Sequence, residues 1–257
     1  MRFIDTHAHL YAEEFASDLP ETIARAQKSG VQKCILPAID REWFVPMMQA
    51  VEKFPNVCFP CIGLHPTSVK ENWKEELDFV ASCLSQSKKV VAIGEIGIDG
   101  YWSKEFMAEQ CLVFETQLRW SAHYNLPVII HVRDAFNLVF DVLEKVKKLP
   151  LRGVFHAFSG STETYERIRR YGNFKTGIGG VITFKNAGLA QTLKNIDLSA
   201  IVLETDAPWL APIPYRGKRN ESCYIPIIAQ KIAEIKEKSI EEIAEITTGN
   251  AEKLFFM

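Results

Sequence analysis

The sequence predicts an α/β fold, a (β/α)8 TIM barrel built as one domain over residues 1–257. Two observations carry this prediction. Short apolar runs alternate with longer stretches of helical periodicity, which indicates parallel strands joined by crossover connections. The runs number eight, and eight such units within about 250 residues suit a barrel. No repeat, low-complexity tract or linker interrupts the pattern.

The elements are predicted in order from the periodicity of apolar residues. The predicted strands are residues 2–5, 33–39, 57–64, 90–94, 127–130, 153–155, 173–178 and 200–203. The predicted helices are residues 19–29, 43–54, 75–85, 106–124, 135–148 and 162–171, with residues 226–254 forming one or two further amphipathic helices. A doubly wound open sheet is the rival fold. It normally has a glycine-rich phosphate turn after its first strand, where this chain has His7-Ala8-His9.

Composition and charge disfavour some classes of protein, namely wide nucleic-acid-binding surfaces, membrane-spanning proteins and secreted proteins. The formal net charge is −2, whereas proteins that hold nucleic acid over a wide surface usually carry a basic excess. A polyanionic substrate must therefore be held locally, in a cleft. No run approaches the roughly 20 apolar residues that span a bilayer, and the N-terminus does not read as a secretory signal. We expect a cytoplasmic protein without a membrane partner or an evident obligate protein partner.

Side chains that can bind metal ions follow several of the apolar runs. His7 and His9 come after the first run, and both project to one side because alternate residues of a strand share a face. In a barrel the carboxyl ends of all strands meet at one face, where catalytic groups come from several strands. The candidate ligands at these ends are His7, His9, Glu95, His131, His156 and Asp206.

Four imidazoles and two carboxylates exceed what one cation uses comfortably while it keeps positions open for water and substrate. A carboxylate that bridges two cations roughly 3.5–4 Å apart would use them all, as in two-metal hydrolases. Such a pair activates a water molecule near neutral pH and stabilises charge on the attacked group. Nitrogen-rich ligation favours Zn, Mn, Co or Ni over Mg.

With these residues in place, the sequence resembles the TatD-type metal-dependent deoxyribonucleases of the amidohydrolase superfamily. The matching motifs are separated and occur in the family's order. They are FIDTHAHL at 3–10, GLHP at 63–66, GEIGID at 94–99, IHVRDA at 130–135, FHAFSG at 155–160, LETDAP at 203–208 and RGKRN at 216–220.

The resemblance implies a barrel with two divalent cations, which could be Zn, Mn or Mg. One cation would be held by His7, His9, Glu95 and Asp206. The other would be held by His131, His156 and the bridging Glu95. Glu95 and Asp206 would be the catalytic residues, with Asp206 taking the proton of the attacking water. Magnesium is often reported for the family, which conflicts with the argument from ligand softness.

The family activity is hydrolysis of phosphodiester bonds in DNA, often as a 3′–5′ exonuclease on a single strand or a duplex end. The candidate substrate contacts are His65, Arg216, Lys218 and Arg219. Where family members often have a second histidine after His-Pro, this chain has Thr67, which weakens the case for His65. Two alternatives stay open: a hydrolase of small amides, lactones or phosphoesters, and a non-catalytic, metal-stabilised nucleic-acid-binding module.

Overall fold

Parallel strands paired in sequence order form the centre of the protein. The computed structural model describes residues 1–87, 89–102, 104–185 and 188–257, and these residues contain eight strands in one sheet. The strands are β1 Phe3–Asp5, β2 Val31–Pro37, β3 Cys58–Ile62, β4 Ala92–Asp99, β5 Val128–Arg133, β6 Arg152–Phe155, β7 Asn173–Ile178 and β8 Ile201–Leu203. Each pairs in parallel with its neighbour in the sequence, as the prediction required.

The first and last strands approach each other and nearly close the barrel. The Thr6 amide donates to the Leu203 carbonyl at 3.0 Å, and the Asp206 amide donates to the His7 carbonyl at 2.9 Å. Ala8 and Ala207 form an isolated parallel bridge. These contacts bring the segment after β1 against the segment after β8, so the predicted ligands of both segments become neighbours.

Helices follow the strands and pack around the barrel. They are α1 Leu19–Lys28, α2 Arg41–Lys53, α3 Trp73–Gln86, α4 Met107–Tyr124, α5 Phe136–Lys145, α6 Thr162–Ile168, α7 Leu189–Lys194, α8 Ile225–Lys236 and α9 Ile240–Phe255. Short 3₁₀ helices occupy Glu13–Phe15, Pro66–Ser68, Gly180–Thr183, Leu198–Ala200 and Ser222–Tyr224. The one or two helices predicted over residues 226–254 are two, α8 and α9, whereas α7 was not predicted. In the described part of the chain, no helix is long and apolar enough to cross a membrane.

The inside of the barrel is filled with apolar side chains toward the amino ends of the strands. Ile4, Ile35, Ile129 and Val202 belong to one buried cluster there. Leu254 and Phe255 of α9 join the same cluster and close that end of the barrel. The carboxyl ends of the strands, which carry the predicted ligands, are therefore the end open to a substrate.

Two predicted positions need correction. Glu95 and His131 were expected to follow their strands, but they lie within β4 and β5. The prediction ended β4 at Gly94 because glycine interrupts the apolar run. The strand continues because Gly97, at a φ of +144°, lies so close to β5 that a Cβ atom would come within 2.0 Å of the His131 carbonyl oxygen. Glycine is thus the residue that lets β4 and β5 pair beyond Glu95.

Candidate metal centre

The six predicted ligands converge on one cluster at the open end of the barrel. His7 and His9 follow β1, His156 follows β6 and Asp206 follows β8, while Glu95 and His131 project from β4 and β5. Three overlapping groups of ligand atoms each lie within 4.8 Å of one another. These groups are His7, His156 and Asp206; His7, His9 and Glu95; and His65, Glu95 and His131.

Glu95 lies at the centre of the cluster and directs its two oxygens toward different imidazoles. Its Oε2 is 3.2 Å from His7 Nε2 and 3.7 Å from His9 Nε2. Its Oε1 is 2.7 Å from His156 Nε2 and 3.0 Å from His131 Nδ1. A carboxylate placed in this way can serve two sites at once, as the bridging role requires.

Asp206 completes the side of the cluster formed by the residues after β1. Its Oδ1 is 3.6 Å from both His7 Nε2 and His9 Nε2. Its backbone has a φ of +58°, in the left-handed region, where a non-glycine residue needs support from its surroundings. That support includes the hydrogen bond from its amide to the His7 carbonyl, which ties Asp206 to the histidines that it faces.

Hydrogen bonds outside the cluster fix which nitrogen His9 presents to it. Burial raises the pKa of the Tyr11 hydroxyl well above its usual range, so this hydroxyl keeps its proton and donates a hydrogen bond to the Pro37 carbonyl at 2.5 Å. His9 Nδ1, 2.7 Å from the same hydroxyl oxygen, must then be the donor of that pair. The lone pair of His9 is left on Nε2, which faces the cluster.

His131 is oriented in the opposite sense. Its Nε2 lies 2.9 Å from Asp99 Oδ2, and the other oxygen of Asp99 accepts the amides of Tyr101 and Trp102 at 2.8 and 3.0 Å. In neutral His131 the proton is therefore on Nε2, and the lone pair on Nδ1 faces Glu95. Carboxylate partners of this kind orient metal-binding histidines and raise their basicity.

His65 is held differently from the other imidazoles. The Thr67 amide donates to His65 Nδ1 at 3.1 Å, so Nδ1 carries a lone pair and the proton of the neutral ring is on Nε2. Burial lowers the pKa of His65, which favours that neutral form. Its Nε2 lies 3.3 Å from Glu95 Oε1. Although His65 is close enough to be grouped with ligands, its donor faces the cluster, which suits a contact to an acceptor oxygen.

The carboxylates of Glu95, Glu204 and Asp206 stabilise positive charge inside the cluster. Burial opposes a charge on His156, but Glu95, Glu204 and Asp206 together raise its pKa to about 10. Burial and the neighbouring His156 together lower the pKa of His7 to about 4. Burial raises the pKa of Glu95, but His156, His65 and His7 bring it well below its usual range. The centre of the cluster is therefore an anion among imidazoles.

The donor set fits divalent cations. His7 Nε2 and His9 Nε2 are 3.0 Å apart, and the lone pair of His9 points into that gap. In the same way, the lone pair of neutral His131 faces the Glu95 carboxylate at 3.0 Å. Lone pairs brought together in a buried place repel each other unless a cation or a proton accepts them. Imidazole and carboxylate ligands suit divalent transition metals.

Glu204 is a buried carboxylate that was not predicted to take part in the site. Its Oε1 accepts the Ala157 amide at 2.5 Å and lies 3.9 Å from His156 Nδ1. Burial raises its pKa to about 8. A Cβ atom at Gly177 would come within 1.9 Å of Glu204 Oε2, so the glycine of β7 makes room for this carboxylate behind His156.

A cavity of about 680 Å³ opens above the cluster. Its walls include Trp102, with 68% of its surface exposed, and Trp209, with 45% exposed. His65 and Arg133 also line it. A larger groove of about 1020 Å³ lies around Met1, Arg2 and α9, away from the candidate ligands. The cavity lined by the candidate metal ligands is thus smaller than the groove beside α9.

The arginine and lysine residues that were predicted to contact the substrate lie outside this cavity. Arg216, Lys218 and Arg219 are outside the residues that line the cavity. Arg219 is bound at 2.7 Å to Asp18 and at 2.8 Å to Glu221, which gives it a structural partner on α1's side of the barrel. Arg133, by contrast, is an arginine that lines the cavity.

Comparisons with known proteins show the family of this chain. The sequence profile described as TatD related DNase matches residues 4–256. This chain belongs to the TatD family of metal-dependent hydrolases. YabD of Bacillus subtilis, described as a metal-dependent hydrolase, is 40% identical over 252 residues, which cover 98% of each chain.

Other family members resemble the chain over their whole length. YcfH of Escherichia coli, described in the same way as YabD, is 32% identical over 260 residues, covering 99% of this chain and 96% of YcfH. The crystal structure of YjjV, a TatD homologue from Escherichia coli, superposes with a TM-score of 0.92 at 30% identity. That match covers 100% of this chain and 98% of YjjV. The TatD barrel is therefore confirmed as the fold.

Proposed function

We propose that the protein is a deoxyribonuclease that hydrolyses phosphodiester bonds with two divalent cations and acts as a 3′–5′ exonuclease. One observation carries the proposal: Glu95 presents each of its oxygens to a different set of imidazoles at the floor of an open cavity. The description of the family profile, TatD related DNase, supports DNA as the substrate. Cytoplasmic location stays a prediction.

The roles of the protein's side chains follow from their positions. His7, His9 and Asp206 would hold one cation, His131 and His156 the other, and Glu95 both. When bound, such a pair supplies hydroxide near neutral pH and neutralises charge on the phosphoryl oxygens. Asp206, 16% exposed, is the ligand carboxylate with access to the cavity, so it can accept the proton of the attacking water.

The walls of the cavity suit the rest of a nucleotide. His65 offers an Nε2 proton to a phosphoryl oxygen, because Thr67 holds its other nitrogen. The exposed rings of Trp102 and Trp209 provide faces on which bases can stack without dependence on sequence. These contacts would hold a single-stranded end, which is the substrate that an exonuclease needs.

A small anionic ester is the second candidate substrate. The observation in its favour is that Arg133 is the only lysine or arginine among the described residues that line the cavity. A long polyanion usually meets several such cations. An ester with one or two anionic groups needs no more than the cations of the site and Arg133.

The decisive experiment compares substrates and variants. The purified protein, loaded in turn with Zn²⁺, Mn²⁺ or Mg²⁺, is incubated with single-stranded DNA labelled at either end, with RNA and with simple phosphate, carboxylate and lactone esters. We expect stepwise shortening from the 3′ end, and no hydrolysis by folded His131→Ala or Asp206→Ala. Wild-type turnover by either variant would refute the assigned roles. Hydrolysis of small esters alone would favour the second candidate, and tight DNA binding without cleavage would favour a binding module.

A further inference from the structure

Arg133 stands at a position from which it can reach a bound substrate. It is the last residue of β5 and lies two residues beyond His131. Alternate residues of a strand share a face and are separated by about 6.6 Å along it. The Arg133 side chain therefore rises from the same face as the His131 ligand, one step nearer the cavity opening, and it lines the cavity.

An aromatic surface supports the guanidinium. Its central carbon lies 3.6 Å from the centre of the Tyr101 ring and 5.4 Å from that of Trp102. Asp99 accepts the amides of Tyr101 and Trp102 with one oxygen and contacts His131 with the other. The Asp99 carboxylate thus fixes both the His131 ring and the turn that carries Tyr101, against which the Arg133 guanidinium packs. These contacts set the distance between the guanidinium and the metal cluster.

Arg133 has no carboxylate partner within 4.0 Å among the residues that the structure describes. Arg25 and Arg219, by contrast, each bind two carboxylates. Stacking on an aromatic face leaves the N–H groups at the edge of a guanidinium free for an anion. Among the described residues that line the cavity, Arg133 is the only lysine or arginine, and the carboxylates there are Glu95, Asp99 and Asp206. If the imidazoles of the cluster bind cations, Arg133 is the protein side chain left to bind an anion directly.

We propose that Arg133 binds a second phosphate of the substrate, one nucleotide away from the phosphodiester that is hydrolysed. This inference rests on the proposed function and specifies its substrate class: a nucleotide chain with a phosphate next to the scissile linkage. The separation of His131 and Arg133 along β5 is comparable with that between successive phosphates of one strand. The bidentate geometry of arginine suits phosphate, and Trp102 beside it offers a face for the intervening base.

The experiment compares three dinucleotides that differ only in the additional phosphate: NpN, pNpN and NpNp. The variants are Arg133→Gln, Arg133→Lys and the matched control Arg167→Gln. Arg167 also lies over an aromatic ring, 4.0 Å from the centre of Phe140, but outside the cavity. For each enzyme the measured quantity is the ratio of kcat/KM for a phosphorylated dinucleotide to that for NpN.

We expect the wild-type protein to prefer one of the two phosphorylated dinucleotides by about tenfold or more, since charge-assisted hydrogen bonds of arginine to phosphate have this strength. The preference disappears in Arg133→Gln, is reduced in Arg133→Lys and is unchanged in Arg167→Gln. A preference of the same size in Arg133→Gln overturns the inference, as does a wild-type protein that treats all three dinucleotides alike.

A binding measurement separates this inference from the proposed function. The dissociation constants of the same dinucleotides are measured in the Asp206→Asn background, with Mn²⁺ present, by the fluorescence of the tryptophans. If the wild-type protein hydrolyses none of the dinucleotides, the proposed function fails. Tighter binding of a phosphorylated dinucleotide that is lost with Arg133→Gln still supports the anion site, and equal binding with and without Arg133 overturns it.

Discussion

Replacement of Tyr11 by phenylalanine tests how the protein directs His9 toward a metal. The substitution removes one hydroxyl and keeps the ring beside Trp43. It leaves two buried groups without their partner, the Nδ1–H of His9 and the carbonyl of Pro37. An unsatisfied buried polar group costs about 1–3 kcal/mol. The metal-free variant should therefore lose about 2–6 kcal/mol of its free energy of unfolding.

The effect on metal binding is separate from this loss. Without the Tyr11 oxygen, the proton of His9 moves readily to Nε2, where Asp206 Oδ1 lies at 3.6 Å and His7 Nε2 at 3.0 Å. A proton on Nε2 occupies the position of the lone pair that binds a cation. Loss of such an orienting partner weakens metal binding by about 10–100-fold, or about 1.4–2.8 kcal/mol.

The assay combines metal competition with denaturation. The dissociation constants for Mn²⁺ and Zn²⁺ are measured against a chromophoric chelator, and the free energy of unfolding is measured with chelator and with saturating metal. We expect the deficit of Tyr11→Phe to be larger with metal than with chelator by about 1.4–2.8 kcal/mol, as linkage requires. Tyr165→Phe, a buried tyrosine of α6 outside the cluster, serves as the control. Equal deficits under both conditions, with unchanged dissociation constants, would show that Tyr11 only stabilises the fold.

Three further predictions concern the surroundings of the cluster. Asp99→Asn, which retains an acceptor but removes the charge facing His131 Nε2, should weaken metal binding by about tenfold or more; unchanged affinity in competition assays would contradict this. Addition of metal at about 100 times its dissociation constant should raise stability by about 2.7 kcal/mol, seen as a Tm increase that His131→Ala reduces. Arg219→Gln should cost about 1 kcal/mol near pH 7. Its ion pairs hold the pKa values of Asp18 and Glu221 below their usual range, so their stabilisation is present above pH 5 and is lost as the pH falls through these lowered values. The stability difference from wild type should therefore shrink in acid, and a raised KM with unchanged stability would instead support a substrate contact.

Much of the fold could be predicted because it depends on local patterns. Each of the eight apolar runs became a strand, since a strand buried on both faces needs a continuous apolar sequence. Convergence of His7, Glu95 and Asp206 followed from the rule that strand ends meet at one face of a barrel. The error at β4 arose because Gly94 and Gly97 break the apolar pattern while their lack of a side chain permits close pairing.

The interaction partners of the predicted residues could not be predicted from local sequence patterns. Arg219 belongs to a local run of basic residues, but the Asp18 carboxylate that binds it lies 201 positions away in the chain. Arg133 follows a ligand in the sequence, and its support on Tyr101 depends on a turn after a different strand. The charge of a side chain is known from its residue type. Its role depends on the residues that it contacts, and these can be distant in the sequence and adjacent only in the folded protein.

The imidazoles show why residue type alone cannot assign a role. His9 and His131 each donate a hydrogen bond to a partner outside the cluster and keep a lone pair that faces the cluster. His65 accepts a hydrogen bond from outside the cluster with Nδ1 and faces the cluster with its Nε2–H donor. That outer donor is the backbone amide of Thr67, which every residue except proline provides. The absence of a second histidine at position 67 therefore does not weaken the proposal that His65 donates to the substrate, because the main chain fixes the orientation of its ring.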